Sequence, residues 1–200
     1  MTKVVTAHST PWRLHRGRRR QPKQPLGVGG DRLFTWFSDG DPPSRYDPGV
    51  TMSAVSAAFV DQGVSRVGAV IAGRRAYDLS EAWGGSGPLP GVSLFVLPHQ
   101  VPDAVPAGDP PSTFVTEASN APSSRSGPPP RARTWPPWGR RSRQGLQAGL
   151  LDELVISLVP VVLGRGARPL DGLEPGSVQL DLVRVVDAPG GTHLTYRVLK

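Results

Sequence analysis

The chain has 200 residues, of which 38% are apolar, and this is enough for one domain with a buried core. It contains no cysteine, which excludes a disulfide framework, a thiolate nucleophile and a cysteine-based zinc site. The formal net charge of +7 suits a polyanionic partner, but two short segments carry most of it, so it does not by itself indicate a nucleic-acid-binding protein.

The rest of the chain alternates strand and helix patterns. In chain order they predict a strand at 3–7, a helix at 52–62, a strand at 66–72, a helix at 74–83, strands at 92–97 and 113–116, a helix end at 145–151 and a strand at 154–159. Residues 178–186 and 193–199 alternate around Pro189-Gly190-Gly191, which is typical of a hairpin. The order predicts one α/β domain over residues 1–200, with a mostly parallel sheet and an antiparallel C-terminal hairpin.

No segment has the pattern of a membrane anchor or a secretion signal. The longest apolar stretch, residues 154–163, contains only about ten residues and is interrupted by Ser157 and Pro160. The first residues, MTKVVTAHST, contain no apolar region followed by a cleavage site. We therefore expect a soluble, cytoplasmic protein without a membrane partner.

Three motifs occur in a defined order outside the basic segments. They are AGRRAY at residues 72–77, GLLDEL at 149–154 and PVVLGRG at 160–166. Together they resemble the reductase domain at the C-terminus of the bifunctional riboflavin-biosynthesis deaminase-reductase, which is related in fold to dihydrofolate reductase. The resemblance implies a three-layer α/β fold, NADPH as cofactor and a small heterocyclic or ribosyl-pyrimidine substrate, with a homodimer as the common assembly.

The resemblance places the cofactor's phosphates at Gly73, Arg74 and Arg75. A glycine-arginine turn between a strand and a helix offers backbone amides and guanidinium groups, which together suit a phosphate. The alternative is that the two arginines are surface charges on a helix.

A second group implied at the cofactor consists of Leu163, Gly164 and Gly166, with Ala7 and Leu97 at the ends of predicted strands. Glycine allows the backbone to approach a ligand closely, although these glycines could also serve only as a turn. The resemblance identifies no retained catalytic acid.

Two departures from the family pattern weaken the predicted cofactor site. Ala76 stands where the family has a phosphate-binding threonine, and Pro98 where it has a hydroxyl residue. Each departure removes a hydrogen bond to the cofactor, of a kind that contributes about 0.5–3 kcal/mol. We therefore expect impaired activity, with a non-catalytic remnant of the family as the alternative.

The two basic segments, 11–24 and 118–143, have a composition unlike the rest of the chain. They hold twelve of the 23 basic residues and no acidic one, whereas the remainder has 11 basic against 16 acidic residues, a net charge of −5. Prolines within them, such as Pro128 and Pro136, cannot continue a helix. We predict that both segments are irregular.

A shift of reading frame accounts for both segments. Suitable codons for residues 13–21, read one base later, give GFIAGADD, which matches the family's first loop. Codons for residues 118–141, read from the third base, give IERAVEQVRAAAEGKDVAAMGAA, the helix, strand and glycine turn that the family has there. The hypothesis is that both are out-of-frame translations, from compensating insertions and deletions or from sequencing error.

Rival interpretations of the basic segments are a nucleic-acid-binding arm, with Trp135 and Trp138 stacking on bases, and a proline-rich ligand. We expect neither, because no binding module accompanies the arginines. We also expect no metal site, since the four histidines have no metal-ligand spacing and are predicted at the surface or in turns: His8, His15, His99 and His193.

Overall fold

The computed structural model describes residues 5–10, 29–38, 40–41, 43–45, 50–116, 145–163, 170 and 172–200. Segments 11–24 and 118–143, together with Gly164 and Gly166, lie outside the described residues, and the predictions made for them stay predictions.

The secondary structure follows the predicted order. The strands are β1 (Val5–Thr10), β2 (Ala69–Gly73), β3 (Ser93–Leu97), β4 (Thr113–Phe114), β5 (Glu153–Leu158), β6 (Gln179–Ala188) and β7 (Gly191–Leu199). Among the described residues, the α-helices are α1 (Ala54–Val64) and α2 (Arg74–Leu79), and two short helices of the 3-10 type span Gly30–Phe37 and Glu81–Gly85. Residues 145–147 are also α-helical, where the sequence predicts the end of a helix. Every predicted strand is present, with its ends shifted by at most three residues.

The described strands form two ladders. In one, the order is β1-β5-β7-β6, with β1 and β5 parallel and β5, β7 and β6 antiparallel. In the other, β2, β3 and β4 are all parallel. The predicted combination of mostly parallel strands with an antiparallel C-terminal hairpin is confirmed.

Helix α1 joins the two halves of the described core. Its first turn is capped by Ser53, whose hydroxyl accepts a hydrogen bond from the Ser56 amide at 3.2 Å. Val64, near its end, is buried against the core of the β2-β3-β4 ladder, while the helix also contacts β6. That core is almost entirely apolar: Val64, Val70, Ala72, Tyr77, Ala82, Leu89, Leu94 and Val96. Each buried Val or Leu contributes about 1.5–3 kcal/mol through removal of apolar surface from water.

The predicted helix at 74–83 is wrong in its second half. Helix α2 ends at Leu79, and Glu81, Ala82 and Trp83 take left-handed backbone angles, with φ of 48°, 56° and 48°. Gly85 continues this turn at φ +98°, where a Cβ would lie 2.3 Å from the carbonyl oxygen of Ala107. The close approach of a distant loop, which helical periodicity does not reveal, fixes this turn.

The helix Gly30–Phe37 corresponds to no predicted element. Leu33 and Trp36, three residues apart, face inward and are 0% and 3% exposed. Trp36 packs with Met52 and Val159, which places this helix beside the start of α1 and the end of β5. The helix thereby covers the β1-β5-β7-β6 ladder near His193.

Candidate functional site

The carboxyl ends of β2 and β3 meet at one edge of their ladder. Because these strands are parallel, Gly73 at the end of β2 is the direct register partner of Leu97 at the end of β3. Helix α2 begins at the residue after Gly73, so Arg74 and Arg75 lie at the same edge. Ligands of open α/β sheets bind at the carboxyl ends of parallel strands. The structure thus brings together four of the residues that the sequence indicated for the cofactor.

Arg74 is held at this edge by defined partners. Its Nε donates to both carboxylate oxygens of Asp78, at 2.7 and 2.9 Å, and its Nη1 donates to the carbonyl oxygen of Gln100 at 3.2 Å. The side chains of Arg74 and Asp78 are 42% and 49% exposed, so solvent weakens the attraction between them. The guanidinium is oriented by these bonds and still has N–H groups to offer a phosphate.

Arg75 and the two residues that depart from the family pattern, Ala76 and Pro98, belong to the same edge as Arg74. Arg75 is exposed and makes no hydrogen bond or ion pair to another described residue. Pro98 follows Leu97 and is fully buried, and Ala76 is half-buried in the first turn of α2. Neither side chain has a hydroxyl group, so the arginines and the backbone amides are the hydrogen-bond donors of this edge.

Ala7 and Leu163 belong to the other ladder. Ala7 is in β1, where its register partner is Val155 of β5. The Leu163 side chain, in the loop after β5, lies 3.5 Å from the position that a Cβ on Gly29 would occupy. The described residues of the predicted site are therefore divided between the β2-β3 edge, strand β1 and the loop after β5.

A depression of about 240 Å³ lies where β5 ends and β6 turns into β7. It is lined by Leu158, Pro160, Asp187, Ala188, Gly190, Gly191 and Thr192. Its two polar side chains bond to each other, since the Thr192 hydroxyl donates to Asp187 Oδ1 at 3.1 Å. This mutual bond leaves the depression with little to recognise a ligand, so the β2-β3 edge is the stronger candidate.

The predicted position of His193 is wrong. It was expected at the surface or in a turn, but its side chain is 0% exposed on β7, whereas His99 is exposed as expected. Ser56 Oγ lies 2.9 Å from its Nε2, and Ser157 Oγ lies 2.9 Å from its Nδ1. Burial lowers the pKa of the imidazole from its ordinary 6.5, because the charged form loses hydration.

Two aromatic rings enclose this imidazole. The Phe59 ring stacks on it with centroids 4.6 Å apart and planes 7° from parallel, and the Trp36 ring lies 4.9 Å away. Ser56 is 1% exposed, so no substrate reaches the serine-histidine pair in this conformation. Ser157 could have indicated this pair from the sequence, because it is a hydroxyl residue inside the apolar strand β5. A buried hydroxyl requires a hydrogen-bonding partner.

No protein-family model and no curated protein sequence matches the chain. Solved structures do: a riboflavin biosynthesis protein from Shewanella sp. PV-4 is 20% identical, with a TM-score of 0.61 and 100% of both chains covered. RibD of Acinetobacter baumannii is 13% identical, with a TM-score of 0.53, over 100% of this chain and 57% of that one. The fold is dihydrofolate-reductase-like.

A third structure with this dihydrofolate-reductase-like fold gives the same result. It is a diaminohydroxyphosphoribosylaminopyrimidine deaminase/5-amino-6-(5-phosphoribosylamino)uracil reductase from Thermotoga maritima, 12% identical with a TM-score of 0.50 over 80% of this chain and 54% of that one. The fold predicted from the three motifs is confirmed.

The described residues contain no candidate for a membrane-spanning helix or a metal site. No helix there has the length and apolar character needed to cross a bilayer. Within the same residues, no three His, Cys, Asp or Glu side chains come together as a metal site.

Proposed function

We propose that this chain is an NADPH-dependent reductase of the riboflavin-biosynthesis type, acting on a small heterocyclic or ribosyl-pyrimidine substrate. Its main support is the pairing of Gly73 with Leu97 at the carboxyl ends of two parallel strands. Gly73 comes directly before Arg74, the arginine of the family motif, and Arg75 follows. The dihydrofolate-reductase-like fold, shared with solved riboflavin biosynthesis proteins, is a second and independent support.

The residues present at the β2-β3 edge fit the phosphate-bearing part of NADPH. Arg74 is oriented by Asp78 and Gln100 with donors left over, and Arg75 projects its charge into solvent. Gly73, the residue preceding α2, has no side chain to cap the helix or to obstruct an approaching phosphate. Gly73, Arg74, Arg75 and Leu97 would hold this part of the cofactor.

When bound, NADPH supplies the hydride, and the protein's part is to bind and orient it. Charge-assisted hydrogen bonds from Arg74 and Arg75 fix the phosphates, and Leu97 provides apolar contact beside them. Leu163, with Gly164 and Gly166, is proposed as the second backbone loop at the cofactor, and Ala7 as its contact on β1.

A fluorescence titration with NADPH tests this proposal. The intact chain is expected to bind in the micromolar range, and Arg74→Ala and Arg75→Ala are each expected to weaken binding about tenfold to a hundredfold, since hydrogen bonds to charged groups contribute about 1.5–3 kcal/mol. Arg66→Gln is the matched control, because Arg66 is an exposed arginine before the opposite end of β2. Absence of binding up to millimolar NADPH would instead support a non-catalytic remnant.

We further propose that the altered segments reduce activity. Replacing residues 13–20 by GFIAGADD and residues 118–140 by IERAVEQVRAAAEGKDVAAMGAA is expected to tighten NADPH binding at least tenfold over the chain as it stands. Sequencing the gene decides the cause separately: if no shifted frame encodes these segments, the frame-shift hypothesis fails while the binding test remains valid.

We also propose that two copies pair through β6. This strand lies at the edge of its ladder among the described strands, and it exposes Leu182, Val183 and Val185 at 50%, 46% and 53%. An edge strand with exposed apolar side chains favours pairing with another chain. Light scattering is expected to show a dimer that Val185→Lys dissociates and Val101→Lys, in an exposed loop, does not. A monomeric intact chain would overturn the proposal.

A further inference from the structure

The buried imidazole of His193 connects three separate elements of the fold. His193 is on β7, its Nε2 bonds Ser56 on α1, and its Nδ1 bonds Ser157 on β5. The adjoining rings come from α1 and from the helix Gly30–Phe37, through Phe59 and Trp36. Contacts of one imidazole thus hold α1 and that helix on the β1-β5-β7-β6 ladder.

The hydrogen bonds of this ring depend on its protonation state. In neutral imidazole one nitrogen donates and the other accepts, so one of the two serine hydroxyls accepts from the ring and the other donates to it. A protonated ring donates from both nitrogens, which turns both hydroxyls into acceptors and obliges the hydroxyl proton that pointed at the ring to find another partner. Protonation therefore disrupts one side of the connection.

Among the described residues, no carboxylate is hydrogen-bonded to this ring. Both of its hydrogen bonds to described residues go to hydroxyl groups. Arg184 lies 5.4 Å from the centroid of the Phe59 ring, which stacks on the imidazole, and it bonds Gln62. The charged groups on the packed elements are Asp31 and Arg32 on the helix Gly30–Phe37, Asp61 on α1, Glu153 on β5, Asp181, Arg184 and Asp187 on β6, and Arg197 on β7.

Of these groups, the ones with known partners are engaged away from the ring. Asp187 accepts from Thr192, and Arg197 lies 3.7 Å from Asp181. A positive charge on His193 would thus be buried beside aromatic rings, and no described carboxylate accepts a hydrogen bond from the ring. Burying such a charge is strongly unfavourable, so protonation favours a state in which the ring is exposed to water.

We propose that His193 is an acid-sensitive latch, whose protonation releases α1 and the helix Gly30–Phe37 from the β5-β7 face of the ladder. The sign follows from linkage: the docked state has the lowered pKa and the undocked state the ordinary 6.5, so below pH 6.5 the undocked state binds more protons. Docking is fully stable above 6.5 and loses stability as the pH falls toward the lowered pKa of the docked state.

Hydrogen exchange measures the release directly. Between about pH 7.5 and about pH 5.5, after correction for the intrinsic exchange rate, protection of the α1 amides is expected to fall roughly tenfold, the effect of one linked proton. Residues 69–73 of β2, in the other ladder, serve as the internal reference and are expected to change much less. Equal loss in α1 and β2 would indicate global unfolding and overturn the latch, as would unchanged protection of α1.

Two variants separate His193 from other titrating groups. His193→Gln keeps a hydrogen-bonding side chain that does not titrate, and is expected to abolish the tenfold change. His99→Gln removes an exposed histidine and is expected to retain it. The same pH dependence in His193→Gln as in the intact chain would overturn the proposal.

A direct titration of the histidine ring protons by NMR covers the case in which His193→Gln does not fold. The latch requires one histidine of the intact chain to titrate below 6.5, the ordinary pKa, and to persist in His99→Gln. Titration of every histidine at or above 6.5 would overturn it.

Discussion

The two ladders are stabilised by different kinds of core. The β2-β3-β4 ladder encloses an apolar cluster around Leu94 and Val96, both 0% exposed, and presents its chemistry at the strand ends. The β1-β5-β7-β6 ladder has apolar contacts as well, such as those among Trp36, Met52 and Val159, but it also buries a histidine between two serines. Apolar packing is insensitive to pH, whereas a buried titratable group is not. The proposed ligand edge thus lies on the ladder with an apolar core, and the proposed acid-sensitive contact lies on the other.

The largest expected effect on stability comes from a substitution in the apolar core. Leu94→Ala removes a fully buried side chain and leaves a cavity, so the free energy of unfolding is expected to fall by about 2–5 kcal/mol. Chemical denaturation measures this, with Val101→Ala as a control at a side chain that is 48% exposed. Equal losses in the two variants would contradict the assigned core.

The left-handed turn after α2 gives the next effect. Gly85→Ala adds a Cβ 2.3 Å from the Ala107 carbonyl oxygen, and is expected to reduce the free energy of unfolding by about 2 kcal/mol or more. Gly84→Ala meets no atom within 4 Å and carries only the left-handed penalty of about 1 kcal/mol. Thermal unfolding of both variants compares them, and a larger loss in Gly84→Ala would refute the close approach.

Ser157→Ala tests the polar contacts of His193 in the other ladder. It leaves Nδ1 of His193 without its partner, so the free energy of unfolding is expected to fall by about 1–3 kcal/mol at neutral pH. Ser177→Ala, in an exposed turn, is expected to change it by less than about 0.5 kcal/mol. Urea denaturation of the two variants side by side provides the measurement, and indistinguishable midpoints would argue against the network.

The smallest expected effect on stability is at the ligand edge. Arg74→Ala breaks an exposed ion pair with Asp78 and is expected to lower the free energy of unfolding by less than about 0.5 kcal/mol. The same variant is expected to weaken NADPH binding strongly, so the ratio of the two effects distinguishes a ligand-binding role from a structural one. A loss of several kcal/mol in a denaturation curve would make Arg74 a structural residue.

Motifs and alternation were sufficient to predict most of the fold. Residues 92–97 and 154–159 read as buried strands because apolar runs of that length need a sheet, and the structure has β3 and β5 there. Gly73 and Leu97 were indicated separately, and the parallel pairing of β2 with β3 makes them neighbours. The turn at Glu81–Gly85 was missed because a loop more than twenty residues later in the chain, at Ala107, determines its backbone.

The sequence by itself determined the order of strands and helices, the C-terminal hairpin and the arginines that follow β2, since these depend on local pattern and motif. Only the tertiary structure decided the environment of His193. Its partners Ser56 and Ser157 lie 137 and 36 residues away along the chain. Burial, hydrogen bonding and the lowered pKa of a side chain arise from what packs around it, and no local pattern specifies such distant neighbours.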